Sequence, residues 1–338
     1  MYTSLPPVTE IDKHSVDVFK SELIHSFQPV LIKSYVEHWE SVGIAQQSSK
    51  QFAEYLMKLD LKKTTTTYYA AAENRGRMFY KENLAGFNFD RISETLTDSL
   101  ERIVKHLEDD NPPCVYTGAV EIDSHVPEFA ENNHCELPGK TAKARIWVGN
   151  AASVSTHYDM LDNIVCAVAG QRTFTLFPPE QIKNLYVGPI DYTLSGQPVS
   201  MVDLHNPDLE TYPKFSKALA QAQVAHLEPG DALYIPKLWW HQVESKDKLN
   251  AIVNYWWDRS ALATDNAFTT LLHGLMTISH LPKAEREAWR AFFDHYIFHL
   301  EDDPAEHIPH DKRGALGEMT PMLYNKLKNI VLSLMTRK

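Results

Sequence analysis

The feature that most constrains the fold is a block of short strands between residues 144 and 258. The predicted strands cover residues 145–148, 164–168, 173–177, 225–227, 232–235 and 250–256. Turn-forming residues such as Gly149-Asn150, Pro178-Pro179 and Pro229-Gly230 separate them. No helical pattern alternates with these strands, as it would in a parallel sheet. The pattern therefore favours a β-sandwich or a β-barrel.

Helical patterns flank this block on both sides. Helices are predicted over residues 12–27, 49–59, 89–108, 266–280, 283–299 and 318–335. The chain is therefore predicted to be an α+β protein. Its first domain, residues 1–258, combines N-terminal helices and strands with the strand block, and residues 259–338 form a C-terminal helical region. The apolar stripe from Met322 to Leu334 needs a partner surface, either within the chain or across a twofold axis.

A long segment with little periodicity, residues 181–223, interrupts the strand block. It is rich in proline, with Pro189, Pro198, Pro207 and Pro213 spread along it. Irregular segments of this length are uncommon inside a compact domain and often carry function. The insertion is therefore a candidate functional segment.

The charge and cysteine content limit the partners and the compartment. The net charge of −11, from 44 acidic and 33 basic residues, disfavours a nucleic-acid partner. The 3 cysteines form no C-x-x-C pair and leave one thiol over in any disulfide pairing, which favours a reducing, cytoplasmic location. No stretch approaches 18 consecutive apolar residues, so the protein is expected to be soluble and not membrane-bound.

One histidine and one carboxylate have the spacing of metal ligands. His157 and Asp159 lie two residues apart at the end of a predicted strand, so their side chains point to the same face. His241, which follows a later apolar strand, is the candidate third ligand of a two-histidine, one-carboxylate site for non-haem Fe(II). An isolated H-x-D motif is a weak signal in a chain with 16 histidines. The surrounding strands and the downstream His241 strengthen it.

The residues around these ligands resemble a known family. The matching stretches are THYDMLDNIVCAVAGQRTFTLFPPEQIKNLY at 156–186, HNPDLETYPKF at 205–215, LEPGDALYIPKLWWHQVES at 227–245 and VNYWW at 253–257. Residues 29–39, PVLIKSYVEHW, are similar to the N-terminal signature of the same family. The chain resembles JmjC-type oxygenases of the cupin superfamily. Within that family it is most similar to the asparaginyl hydroxylase branch that acts on hypoxia-inducible factor.

The resemblance implies a fold, a metal and a cosubstrate. The fold is a double-stranded β-helix, the jelly roll of cupins. Its ligands for Fe(II) fall on His157, Asp159 and His241. The cosubstrates are 2-oxoglutarate and O2, and the reaction releases succinate and CO2. The C-terminal helices of the resembled hydroxylases form a homodimer interface, so a homodimer is expected.

The resemblance also implies a set of cosubstrate contacts. These residues are Tyr116, Thr156, Asn163, Arg172, Asn254 and Trp256. Arg172 stands where relatives usually have lysine, and it can grip a carboxylate with two parallel N–H bonds. Val154 stands where close relatives have a threonine that contacts 2-oxoglutarate, and valine cannot donate a hydrogen bond. Ser153, Ser155 and Thr156 are the hydroxyl groups that could compensate. In a regular strand, Ser153 and Ser155 face away from Val154.

The predicted function is hydroxylation of a protein side chain by an Fe(II)- and 2-oxoglutarate-dependent oxygenase. Within the same chemistry, the substrate could instead be a modified tRNA or a small molecule. A cupin isomerase would usually need a third histidine and a glutamate around its metal, which the sequence does not offer at the right spacing. A non-catalytic cupin-fold binding protein remains an alternative because of Val154 and Arg172.

Overall fold

The computed structural model describes residues 5–137, 142–258 and 266–336. The chain forms two compact units, residues 1–258 and 259–338, which are described separately below. The strands are β1 Thr9–Asp12, β2 Val30–Lys33, β3 Thr64–Ala70, β4 Asp90–Thr95, β5 Cys114–Glu121, β6 Lys143–Gly149, β7 Ala152–Tyr158, β8 Asp162–Ala169, β9 Arg172–Phe177, β10 Gln223–Leu227, β11 Ala232–Ile235, β12 Trp240–Ser245 and β13 Asn250–Trp257. The helices are α1 Val16–Ser21, α2 Glu40–Gln47, α3 Ser49–Leu59, α4 Leu96–Lys105, α5 Ile122–His125, α6 Phe129–Asn132, α7 Phe215–Leu219, α8 Ala267–Thr277, α9 Lys283–Phe293 and α10 Pro321–Thr336.

Strands β6 to β13 form two sheets, and the chain passes back and forth between them. The larger sheet contains the order β11-β8-β13-β6, and the smaller sheet has the order β10-β9-β12-β7. Neighbouring strands within this set pair antiparallel. Except for the step from β9 to β10, consecutive strands lie in different sheets. This alternation is the double-stranded β-helix, so the predicted α+β jelly roll is confirmed.

The N-terminal strands extend the larger sheet at both edges. β2 and β1 continue it beyond β11, and β5, β3 and β4 continue it beyond β6. The helix predicted over residues 89–108 is wrong in its first part, because residues of β4 pair with β3 along its whole length. The helix α4 starts only at Leu96, where the side chains of Thr95 and Asp98 form a capping box.

The helix predicted over residues 12–27 is also shorter than expected. Only α1 is α-helical, and short 3₁₀ turns lie on either side of it. The segment ends at Phe27, whose φ of 55° is left-handed and cannot continue a helix. Strand pairing therefore overrides the helical period in residues 90–95, and local backbone geometry interrupts it in residues 12–27.

Strand β8 shows how the core positions the functional site. All eight of its residues are buried, since helices cover one face and the smaller sheet covers the other. Ile164, Cys166 and Val168 pack in the cluster that also includes residues of α3 and α4. Val165 and Ala167 pack between the two sheets. The period of two places Asn163 on the inner face as well, in the space between the sheets.

The second unit contains α8, α9 and α10, with a short π-helix, Asp294–Phe298, after α9. None of the residues in these three helices is buried. Large apolar side chains on α10 are among the exposed ones, including Met322, Ile330, Val331 and Leu334. Within the described ranges, no helix has the length and apolar character that crossing a membrane requires.

Candidate metal and cosubstrate site

Three side chains converge at one end of the smaller sheet. His157 is the penultimate residue of β7, Asp159 directly follows that strand, and His241 lies on β12 directly opposite His157. One ligand atom from each residue lies within 4.8 Å of the other two. The imidazole centroids of His157 and His241 are 4.3 Å apart, and His241 Nε2 is 3.8 Å from Asp159 Oδ2. This donor set is the two-histidine, one-carboxylate triad that leaves coordination positions open on Fe(II).

Backbone carbonyl groups orient both imidazoles. His157 Nδ1 lies 2.9 Å from Ser155 O, and His241 Nδ1 lies 3.0 Å from Trp239 O. A carbonyl oxygen only accepts, so each Nδ1 carries the proton and each Nε2 is left with a free lone pair. Burial and the neighbouring His157 lower the pKa of His241 to about 4, although Asp159 acts to raise it. His241 is therefore neutral at neutral pH, as a metal ligand must be.

Two asparagine side chains connect Asp159 to the wall of the larger sheet. Asn163 Nδ2 donates to Asp159 Oδ2 at 3.1 Å, and Asn254 Nδ2 donates to Asn163 Oδ1 at 2.9 Å. Both asparagines are buried, at 2% and 5% exposure. The carboxylate is thus held by a hydrogen-bonded chain that runs from β13 through β8.

The three ligand residues open into a cavity of about 280 Å³ between the sheets. Its walls include Tyr116, Asn163, Arg172, Asn254 and Trp256, which the sequence had placed at the cosubstrate. The long insertion supplies another wall through Leu194, Ser195, Gln197 and Val199. Part of the insertion therefore lies at the cavity that holds the candidate ligands.

The part of the insertion over the cavity is a loop, residues 189–198, whose ends meet. Gly188 N donates to Val199 O at 2.8 Å across its base. Its middle is held by side chains from the N-terminal strands, including a 2.7 Å hydrogen bond between the hydroxyls of Tyr68 and Ser195. Closed loops of this kind often cover a functional site.

Arg172 and Tyr116 form one polar part of the cavity wall. Arg172 is only 2% exposed, and its guanidinium interacts electrostatically with the Tyr116 hydroxyl. Its Nε and Nη2 atoms are buried and have no hydrogen-bond partner among the described residues. Burial lowers the pKa of Arg172, and Tyr116 partly offsets this effect. A buried guanidinium with two unused donors is costly unless an anion binds it, so this wall fits a carboxylate.

A bulge between β7 and β12 changes which side chains face the cavity. His157 pairs with His241 and Val154 pairs with Val243, so three steps along β7 match two steps along β12. The extra residue breaks the strict alternation and turns Val154 inward, onto the same wall as His157. β7 is therefore not a regular strand between Val154 and His157.

Thr156 lies outside the cavity, contrary to its predicted contact with the cosubstrate. Its hydroxyl donates instead to Gln242 Oε1 at 3.3 Å, on the face of the smaller sheet that points away from the cavity. The Ser153 hydroxyl contacts His205 Nε2 at 3.3 Å near the surface. Ser153 and Ser155 both line the cavity on either side of Val154, so both are nearby serine residues there.

Trp147 is a cavity residue to which the sequence gave only a weak signal. Its ring packs against Tyr116 at 5.9 Å and against Trp256 at 6.1 Å between ring centroids. Gly118 leaves room for it, because a Cβ at that position would lie 2.5 Å from the Trp147 ring. The indole Nε1 atoms of Trp147 and Trp256 are both buried, and neither has a hydrogen-bond partner in the described part of the chain. The period of two on β6 predicts that Trp147 faces inward, but not that its N–H is left free.

Comparison with known proteins identifies relatives for parts of the chain. It is 41% identical over 118 residues to lysine-specific demethylase JMJ31 of Arabidopsis thaliana, covering 35% of this chain and 21% of the relative. It is 24% identical over 261 residues to Jumonji C domain-containing protein 5 of Drosophila melanogaster, covering 76% and 61%. It is 33% identical over 182 residues to tRNA wybutosine-synthesizing protein 5 of Gallus gallus, covering 49% and 52%.

In each of these matches the chain covers less than two thirds of the relative's length. The profile of the cupin-like domain family, by contrast, matches residues 15–262, which contain the whole double-stranded β-helix and all three candidate metal ligands. The chain therefore belongs to the cupin-like domain family, with JmjC proteins among its relatives.

Proposed function

We propose that the protein is an Fe(II)- and 2-oxoglutarate-dependent oxygenase that hydroxylates a protein side chain. One observation carries the proposal: His157, Asp159 and His241 converge in a cavity whose wall also presents two guanidinium nitrogens of Arg172 that have no hydrogen-bond partner among the described residues. The triad offers two imidazoles and one carboxylate, which suit Fe(II). The guanidinium offers two donors to an acid. A cavity that holds both a metal site and a carboxylate-binding site suits a ligand that chelates the metal at one end and carries a carboxylate at the other.

Different side chains would bind the metal and the cosubstrate. His157, Asp159 and His241 would hold Fe(II) and leave part of its coordination sphere facing the cavity. Arg172, with Tyr116 beside it, would bind the far carboxylate of 2-oxoglutarate. Bound Fe(II) and 2-oxoglutarate supply the oxidising chemistry, in which O2 is consumed, succinate and CO2 leave and the substrate gains a hydroxyl group. The enclosing walls keep bulk water away from this reaction.

The substitution of Val154 for a hydroxyl-bearing residue changes how the acid is held. Val154 faces the cavity but offers only methyl groups. Arg172 can replace the lost hydrogen bond because its planar fork provides more donors than a lysine ammonium can direct at one carboxylate. The cavity therefore keeps its capacity for a dicarboxylate, which supports catalysis over the alternative of a non-catalytic binding protein.

A protein substrate is supported by the resemblance to the asparaginyl hydroxylase branch and by the relative named as a lysine-specific demethylase. A modified tRNA is the second candidate, because one relative is named as a tRNA wybutosine-synthesizing protein. The net charge of −11 argues against a long polyanion as substrate. We favour the protein side chain for this reason.

The test is succinate formation by the purified protein with Fe(II), ascorbate and 2-oxoglutarate, measured alone, with peptide pools and with bulk tRNA. We expect peptide-stimulated succinate formation that falls at least 100-fold in Asp159→Ala. The matched control is Thr156→Val, which removes a hydrogen bond beside the site but outside the cavity, and it should keep turnover. Equal succinate formation by wild type and Asp159→Ala would refute the oxygenase, and stimulation by tRNA alone would refute the protein substrate.

A further inference from the structure

Strand β6 carries a row of side chains on the cavity side of the larger sheet. Lys143, Arg145 and Trp147 are two residues apart, so they lie on one face of the strand. The residues directly opposite them on β13 all line the cavity, as Trp147 itself does: Trp256, Asn254 and Ile252. Directly opposite residues of an antiparallel pair point to the same side of a sheet. Lys143 and Arg145 therefore face the cavity side too.

A bulge in β5 lies beside this row. Thr117 pairs with Val148 and Val120 pairs with Ile146, so three steps along β5 match two steps along β6. Ala119, inside the bulge, has a left-handed φ of 54° and is exposed, yet it lines the cavity. The cavity therefore opens to solvent next to β5 and β6.

The guanidinium of Arg145 is held in place at this opening. Its central carbon lies 5.0 Å from the centroid of the Trp256 ring, and its Nη2 donates to Glu121 Oε1 at 3.1 Å. Glu121 stands directly opposite Arg145 on β5, so the ion pair lies on the cavity side. This side chain is 22% exposed and makes no further hydrogen bond within the described residues. A held guanidinium with unused donors suits a carboxylate, which it can bind through two parallel N–H bonds.

The charged side chains at the opening leave one positive charge uncompensated. Arg145 is paired with Glu121, whereas Lys143 is exposed and has no ion-pair partner among the described residues. Deeper in the cavity, the two charges of Fe(II) would balance those of 2-oxoglutarate, and Arg172 would balance Asp159. The loaded centre would thus add no net charge, and the opening attracts an anionic group.

We propose that Arg145 and Lys143 form a recognition site for an acidic side chain of the primary substrate. The proposal rests on the proposed function, because it takes a protein as the substrate. Arg145 stands opposite Asn254, whose hydrogen-bonded chain leads to Asp159, so the acidic group would lie close to the oxidised position. The site narrows the substrate to a segment with an aspartate or glutamate beside the target residue. The net charge of −11 disfavours a long polyanion, whereas a single carboxylate fits a local positive opening.

The test uses two probes of nearly equal shape and a metal that binds without turnover. The probes are the N-acetyl, N-methylamide derivatives of aspartate and asparagine, which differ by one negative charge. The full-length protein is loaded with Mn(II) and 2-oxoglutarate, and the paramagnetic relaxation of the acetyl protons is measured for each probe. One partly exposed ion pair predicts about two- to fivefold greater relaxation of the aspartate probe. This preference should shrink as the salt concentration rises.

Five variants separate the charge of the opening from other causes. Arg145→Gln and Lys143→Gln should each reduce the preference, and Arg145→Lys should retain part of it. Lys143 is exposed, so its variant tests the site even where Arg145→Gln does not fold. Glu121→Gln should increase the preference, which a merely structural role of the ion pair would not do. Lys58→Gln is the matched control, since it removes a positive charge from α3, which packs on the other face of the larger sheet, and it should leave the preference unchanged.

The site is refuted by equal relaxation of the two probes in wild type, or by an unchanged preference in Arg145→Gln, as expected for a carboxylate that binds Mn(II) directly. A decrease in Glu121→Gln refutes it as well. If Arg145→Gln lowers the relaxation of dimethyl phosphate but not that of the aspartate probe, the opening binds a phosphodiester and the acidic side chain is ruled out. With Mn(II) bound and only the preference missing, the oxygenase proposal stands. Without Mn(II) uptake by wild type in electron paramagnetic resonance, the metal site and this inference fail together.

Discussion

Replacing Arg172 with methionine should have opposite effects on stability and on cosubstrate binding. The guanidinium is 2% exposed and has two buried N–H donors without partners, so the ligand-free protein carries an incompletely compensated buried charge. Replacing such a charge with an apolar side chain of similar volume is often neutral or stabilising, by about 1–4 kcal/mol. Hydrogen bonds to a charged group contribute about 1.5–3 kcal/mol each, so losing two should weaken 2-oxoglutarate binding by at least about 100-fold.

The assay combines urea unfolding of the metal-free protein with calorimetric titration of 2-oxoglutarate into the Zn(II)-loaded protein. Arg172→Met should unfold at an equal or higher urea concentration than wild type, and its heat of 2-oxoglutarate binding should vanish. Arg172→Lys keeps the charge but loses the planar fork, so an intermediate loss of about 10-fold is expected. If Arg172→Met binds 2-oxoglutarate as wild type does, or is clearly destabilised, our account of this wall of the cavity is wrong.

Three further predictions concern other parts of the chain. Gly118→Ala should destabilise the protein by about 1–3 kcal/mol in urea unfolding, because its Cβ would lie 2.5 Å from the Trp147 ring; a wild-type midpoint would contradict this packing. Tyr68→Phe removes the hydrogen bond to Ser195 and should speed chymotrypsin cleavage within the 189–198 loop about 2–10-fold, whereas an unchanged rate would mean that this bond does not hold the loop. The homodimer predicted from the apolar stripe of the last helix should dissociate in Ile330→Glu, seen by light scattering as a fall from dimer to monomer mass; a monomeric wild type would refute it.

Much of the metal site could be predicted from the sequence because its geometry is local. His157 and Asp159 need only the alternation of side chains along a strand to face the same way. His241 could be named as a candidate from its place after an apolar strand, but only the resemblance linked it to His157, since no spacing rule connects residues that are far apart in the chain. In the structure it stands opposite His157 because β12 and β7 are neighbours in the smaller sheet.

The surroundings of the site were harder to predict because they depend on exceptions to regular structure. A single bulge places Val154 in the cavity. Thr156 contacts Gln242 and does not face the cavity. Sequence patterns do not reveal where a strand departs from strict alternation. They also do not show which buried donors and acceptors find partners, as the free atoms of Arg172 and Asn254 illustrate.

The pairing register of the smaller sheet fixes the backbone separation between the metal ligand His241 and Arg172. His241 stands opposite Leu176, and Ser245 stands opposite Arg172, so the two backbones lie four residues apart along the strands, about 13 Å. Strand β9 is hydrogen-bonded on both sides, to β10 and β12, and β12 is likewise held by β9 and β7. The two strands cannot slide, because a slip of one residue would turn their apolar side chains outward. The sheet therefore holds the backbone of Arg172 at a fixed distance from that of His241, and the length of the Arg172 side chain sets how much of this distance remains for a bound acid.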